Sequence, residues 1–272
     1  MKTNAPIKSL LISIIMVNIS SPADSAFPSA SITEEVVTYM SDGVSLKGIV
    51  VFDKNIKGKR PAVIVVPEWW GLTDYAKMRA HKLAELGYIA MAADMFGDGK
   101  TAADPKEAQA LTMPFYQNPG LAKLMVDAAV KKIKEYGQTD PDNIAAIGYC
   151  FGGFAVLNSA KLGTDLKGVV SFHGGLTGAP VKKEYLKAAI LVCHGGSDNF
   201  VSMDDYNSLK NKLDSIGADN TFKIYPGATH AFTNPDATEN GKKFNMPIEY
   251  NEKADMDSWN DMKEFLTRIF QK

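Results

Sequence analysis

The chain has 272 residues, 45% of them apolar and 22% charged, with a net charge of −1. That is the composition of an ordinary globular protein, long enough for one large α/β domain. The near-neutral charge and only three arginines (Arg60, Arg79 and Arg268) exclude a nucleic-acid or anionic-lipid binder that works by long-range attraction or bidentate phosphate clamps.

The N-terminus reads as an export signal. Lys2 and Lys8 precede a short apolar run, Leu10 to Val17, and Ala23-Asp24-Ser25 offers small residues for cleavage before Ala26. Residues 1–25 are therefore expected to be a signal peptide and 26–272 the mature domain, periplasmic or secreted. The run is short for a membrane span, and no later stretch is apolar enough for one. Residues 26 to 32 read as a disordered leader.

Two strand-like segments follow, Glu35 to Met40 and Val44 to Phe52, joined by Asp42-Gly43, a hairpin signal. The pattern then alternates. Apolar runs at Ala62 to Val66, Ile89 to Ala93, Ile144 to Tyr149, Gly168 to Phe172, Ala189 to Cys193 and Thr221 to Tyr225 read as strands buried on both faces. Helical segments lie between them: Thr73 to Leu86, a stripe of Leu121, Leu124, Met125 and Ala128, a capping box at Ser202 and Asp205, and a final stripe of Trp259, Met262, Leu266 and Ile269. The expected fold is α/β, a doubly wound, mostly parallel sheet with an N-terminal antiparallel hairpin. Thr233 to Asn251 is polar and turn-rich, either a loop over the site or a surface excursion.

In such a sheet, functional loops gather at the carboxyl ends of the strands. Gly148-Tyr149-Cys150-Phe151-Gly152-Gly153 follows an apolar strand and matches a nucleophile elbow with cysteine in the nucleophile position. The glycines are required where a tight turn leaves no room for a Cβ. Asp198 and His230 follow, in the chain order of an α/β-hydrolase triad. Read this way, Cys150 attacks a carbonyl as thiolate, His230 moves the proton and Asp198 orients the imidazole. The amides of Phe151 and Trp69 are the candidate oxyanion hole. Each residue has a plainer reading: Cys150 as a core thiol, Asp198 as a helix cap, His230 as a loop histidine. Cys193, within a strand, reads as core. His173 and His194, flanked by glycines, read as structural hydrogen-bonding groups. Neither a zinc-ligand spacing nor a phosphate loop is present, so no metal or organic cofactor is expected.

Five motifs together resemble the dienelactone hydrolase family: Pro67-Glu68-Trp69-Trp70-Gly71, Asp94-Met95-Phe96-Gly97, Gly148-Tyr149-Cys150-Phe151-Gly152-Gly153, His194-Gly195-Gly196-Ser197-Asp198 and Thr229-His230-Ala231-Phe232. The resemblance spans Glu34 to the C-terminus. It implies an α/β-hydrolase that cleaves a carboxylic ester or lactone through a cysteine acyl-enzyme. It also implies a catalytic role for Glu68, as the carboxylate that hydrogen-bonds the resting thiol until substrate arrives. Two arginines that grip the substrate carboxylate in dienelactone-specific members are replaced here by Asp98 and Asn234, which puts the dienelactone itself in doubt. Trp70, Phe96, Tyr149 and Lys100 are the candidate pocket residues. The expected partner is a small ester or lactone, the expected state a monomer or weak dimer. Two other readings stay open: a ligand-binding module without turnover, and thiol redox chemistry at Cys150.

Overall fold

The computed structural model describes Met1 and residues 31–271. The signal segment and residues 26–30 lie outside the described residues. Strands β1 (Ile32–Ser41) and β2 (Val44–Asp53) form the N-terminal hairpin. Its turn residues Asp42 and Gly43 both sit at positive φ, 44° and 82°, the backbone that Asp-Gly supplies most cheaply. The expected leader ends earlier than its sequence indicated. Ile32 already pairs with Asp53, and the Ser31 amide donates to the Asp53 carboxylate at 3.1 Å.

The rest alternates. In order come β3 (Arg60–Val66), α1 (Asp74–Glu85), β4 (Ile89–Ala92), α2 (Pro105–Gln117), α3 (Pro119–Lys134), β5 (Thr139–Tyr149), α4 (Phe151–Lys161), β6 (Gly168–Phe172), β7 (Ala189–Gly195), α5 (Met203–Ser215), β8 (Asn220–Tyr225), α6 (Ala237–Phe244) and α7 (Glu252–Phe270). The strands make one sheet in the order β1-β2-β4-β3-β5-β6-β7-β8. From β4 to β8 neighbours are parallel, while β1 and β2 add antiparallel at one edge.

Alternate residues of each central strand feed opposite layers. Ala62, Ile64 and Val66 face the core under α3, α4 and α5, whereas Val63 and Val65 face the core under α1 and α7. Both faces are covered, so the strands are apolar throughout, as the sequence pattern required.

Helix α3 buries a stripe one step from the expected one. Ala122, Met125, Val126, Ala129, Val130 and Ile133 are buried, and Leu124 is exposed. The buried set keeps the i, i+3, i+4 spacing over the whole helix, which the expected stripe does not. Ser202 caps α5 as predicted, its Oγ accepting from the Asp205 amide at 3.1 Å. Thr73 precedes α1 in extended conformation but makes no side-chain cap bond. The polar 233–251 stretch is not loop throughout, because it contains α6.

Candidate active site

Four of the eight strands among the described residues deliver the site at their carboxyl ends. Glu68 follows β3, Cys150 follows β5, Asp198 follows β7 and His230 follows β8. Glu68, Cys150 and His230 line a cavity of about 410 Å³, and Asp198 lies behind His230, outside the lining.

Cys150 sits at φ 52° and ψ −113°, between β5 and α4. An L-residue pays for positive φ, and such strain persists only where surroundings enforce it. The enforcing contacts are visible. The Cys150 amide donates to the Phe172 carbonyl at 3.0 Å and to His173 Nδ1 at 3.1 Å. Because Nδ1 accepts, the His173 proton lies on Nε2, which donates to Thr233 Oγ1 at 2.8 Å. Thr233 Oγ1 in turn bonds the Tyr75 hydroxyl at 2.6 Å. Burial, and then the charge of His230, hold the His173 pKa well below the usual histidine range, which keeps it neutral as this chain requires. The sequence reading of His173 as structural holds, and its partner is the nucleophile's own backbone. His194 is likewise buried, with its ring against Tyr206.

The Asp198 side chain is buried. Its Oδ1 accepts the amides of Phe200 (2.7 Å) and Val201 (3.1 Å), and its Oδ2 meets His230 Nδ1 at 2.9 Å. Burial alone would raise its pKa, but His230 and these two amides outweigh it and hold the carboxylate below the ordinary range. Burial alone would likewise lower the His230 pKa. The Cys150 side chain and the Asp198 carboxylate outweigh it and lift His230 up to about 10. The arrangement favours an imidazolium between sulfur and carboxylate.

Phe151 begins α4, so its N–H has no intrahelical acceptor. The Phe151 ring is fully buried. Trp69 lies on the β3 loop and lines the cavity beside Cys150. The glycine reading also holds. A Cβ at Gly148 would lie 2.1 Å from the Gly152 carbonyl oxygen, and one at Gly153 would lie 2.5 Å from Ser171 Oγ.

Glu68 departs from expectation. The thiol partner implied by the family resemblance is not its partner here: Cys150 faces His230, and Glu68 Oε2 accepts from Asn234 Nδ2 at 2.6 Å. Glu68 is 4% exposed, and burial pushes its pKa up to about 7 against the opposing pulls of Asn234 and His230. The folded protein thus holds this proton where the unfolded chain has released it. Stability from this group falls as pH rises from 4.5 to about 7 and stays reduced above. Glu68→Gln keeps the acceptor for Asn234 and removes the buried charge. We expect it to stabilise the protein at pH 8 by up to about 3 kcal/mol, and the gain to vanish below about pH 4.5. Urea unfolding of both proteins across that range checks this. An equal gain at every pH would contradict it.

Of the candidate pocket residues, only Trp70 lines the cavity. Tyr149 is wholly buried on the opposite layer, stacked on Phe172 at 4.7 Å and lying under Arg79. It ends β5 on the face shared by Ala145 and Ile147, the layer under α1 and α7, whereas Cys150 packs against the opposite layer. Phe96 packs behind the site, on Phe151 and Phe115. Lys100 is exposed and does not line the cavity. Asp98, at φ 53°, pairs with Lys47 at 3.7 Å and is likewise outside the lining.

Sequence reasoning missed the far wall. Thr112, Met113 and Tyr116 come from α2, and Ala237, Met246 and Ile248 from the α6 segment. A signal for α2 existed. Asp104-Pro105-Lys106-Glu107 is a capping pattern, with the Glu107 amide bonded to Asp104 Oδ1 at 2.9 Å and the Ala103 amide to Glu107 Oε2 at 2.9 Å. Pro114 inside the helix hides it from periodicity. Cys193 is fully buried in β7, its thiol contacted by the Tyr225 hydroxyl at 3.5 Å and its pKa raised to about 12 by burial.

A model of the dienelactone hydrolase family matches residues 46–270. Protein usf of Aquifex pyrophilus is 30% identical over 205 residues, covering 74% of this chain and 87% of that protein. A putative carboxymethylenebutenolidase of Aquifex aeolicus is 29% identical with the same coverage, 74% and 87%. Among solved structures, a dienelactone hydrolase-like promiscuous phosphotriesterase from metagenomic libraries aligns with a TM-score of 0.82 at 30% identity. That alignment covers 88% of this chain and 98% of the other.

Proposed function

The chain belongs to the dienelactone hydrolase family and is a hydrolase, and on that premise we propose that it cleaves carboxylic esters or lactones through a thioester on Cys150. The observation that carries this is the Asp198–His230 pair at 2.9 Å, with His230 and Cys150 lining the same cavity.

The thiolate attacks the ester carbonyl carbon, and the carbonyl electron pair moves to oxygen. That oxyanion lies against the amides of Phe151 and Trp69. Collapse breaks the bond to the alcohol oxygen, which takes the proton from the His230 imidazolium and leaves as alcohol. Water then attacks the thioester while neutral His230 takes a water proton. The second collapse expels the Cys150 thiolate and frees the acid, with His230 again imidazolium. Asp198 holds the ring in the tautomer that keeps Nε2 toward the sulfur.

Glu68 borders this centre with a pKa of about 7. Its ionised form favours the imidazolium, so activity is expected to rise as pH passes through about 7, and Glu68→Gln to lose that limb of the pH–rate profile. The cavity wall is largely apolar, with Trp69, Trp70, Met113, Phe200 and Ile248, which suits esters with an apolar body. Where the family resemblance expects two carboxylate-gripping arginines, Asp98 is tied to Lys47 and Asn234 to Glu68. The direct test is purified Cys150→Ala on small aryl esters. We expect no turnover above the uncatalysed rate, and retained activity would sink the proposal. Redox chemistry is the weaker reading, because Cys193 would have to leave the centre of β7 to resolve an oxidised Cys150.

A further inference from the structure

Helix α4 begins at the nucleophile and ends at Lys161, which is 2% exposed. Its Nζ donates to the carbonyls of Leu176 and Thr177, both at 3.3 Å, the long end of hydrogen-bond range. An ammonium has three protons, so one is left without a protein acceptor among the described residues. No carboxylate among them lies within ion-pair distance of it either. A second cavity, of about 550 Å³, opens beside this group.

Exposed Lys212 lines the same cavity, as does the Ser208 hydroxyl. Asp205 is the one carboxylate in its lining, and the Ser202 hydroxyl already engages it at 2.8 Å. Two ammonium groups against one carboxylate leave the space net positive. Burial, and then repulsion from Lys212, push the Lys161 pKa down to about 8. It therefore remains mostly protonated at neutral pH while lacking a counter-ion, the condition that an incoming anion relieves.

Thr177 links this space to the catalytic one. It lines both cavities, and its carbonyl is one of the two acceptors of Lys161. The partition is fixed to α4 rather than loose. Asn158 Nδ2 donates to the Thr177 carbonyl at 3.1 Å, and Asn158 Oδ1 accepts from the Ala179 amide at 2.7 Å. A Cβ on Gly178 would lie 2.4 Å from that same oxygen, so the chain there approaches α4 as closely as glycine allows.

We propose that the second cavity is a carboxylate subsite, and that the preferred substrates are esters whose apolar body lies in the catalytic cavity and whose far end carries a carboxylate that passes Thr177 to Lys161 and Lys212. This rests on the hydrolase reading above and deepens it by naming a substrate class. The ammonium groups and the Ser208 hydroxyl supply the donors, and the apolar wall of the first cavity covers the chain between the two ends.

The test compares esters equal in length and different only at the tail: p-nitrophenyl hexanoate against mono-p-nitrophenyl adipate, and the octanoate against the suberate. Wild-type kcat/KM is expected to favour the acid-tailed member of at least one pair. Lys161→Met is expected to lower that preference by roughly tenfold or more, the scale of a lost hydrogen bond to a charged group. Lys212→Met reports on the exposed side should Lys161→Met fail to fold, and Lys57→Met, exposed and away from both cavities, serves as the control. Equal turnover of both members of each pair by wild type, or an unchanged ratio in both lysine variants, would overturn the subsite. No turnover of any ester would instead count against the hydrolase reading. The subsite is then judged by calorimetric binding of hexanoate, where a Kd raised roughly tenfold in Lys161→Met supports it and an unchanged Kd overturns it.

Discussion

His230→Ala is expected to lower kcat on a small aryl ester by roughly four orders of magnitude or more, with the folded structure retained. The size follows from how much converges on one ring. Nδ1 is held at 2.9 Å by Asp198, whose other oxygen is pinned by two backbone amides, and the far side of the ring meets Cys150. Removing the ring removes the cation that stabilises the thiolate, the donor to the leaving alcohol and the base for water together. Because these act as a unit, adding Cys150→Ala costs little more. Single-turnover kinetics on the two single variants and the double variant check this. Additive losses, or a His230→Ala enzyme within tenfold of wild type, would contradict the relay.

Gly152→Ala is expected to cost roughly 3 kcal/mol or more in stability, and most of the activity in whatever still folds. A Cβ at this position would lie 2.2 Å from the Val66 carbonyl oxygen and 2.6 Å from that of Pro67. Both neighbours are backbone at the end of β3, so no side chain can swing aside. The loop that must retreat is the one carrying Glu68 and Trp69. One methyl group therefore damages packing and moves an oxyanion donor at once. Chemical denaturation and kcat/KM of the variant test both effects. The exposed Gly217→Ala serves as a reference: its Cβ would meet nothing within 4 Å, although φ 67° adds backbone strain there. A Gly152→Ala enzyme as stable and active as wild type would show that the loop adapts, and would weaken the assignment of Trp69.

Much of this was readable in the chain because its causes are local. Asp42-Gly43 makes the hairpin through its own backbone preferences. Gly148, Gly152 and Gly153 mark the elbow because no side chain fits the turn. The buried parallel strands announce themselves by being apolar on both faces, and the residues after them fall on one rim of the sheet. Chain order then put Cys150, Asp198 and His230 within reach of each other.

What tertiary structure alone decided lies between residues far apart in sequence. Asn234 and Glu68 are 166 positions apart. No periodicity relates them. Tyr149 adjoins Cys150 in sequence and so reads as a pocket residue, yet as the last residue of β5 it shares the face of Ala145 and Ile147, away from the cavity. The walls from α2 and α6, and the unneutralised Lys161 behind Thr177, depend on how helices settle across the sheet. A sequence encodes such contacts only through the packing of the whole core, so they become visible when the fold has closed.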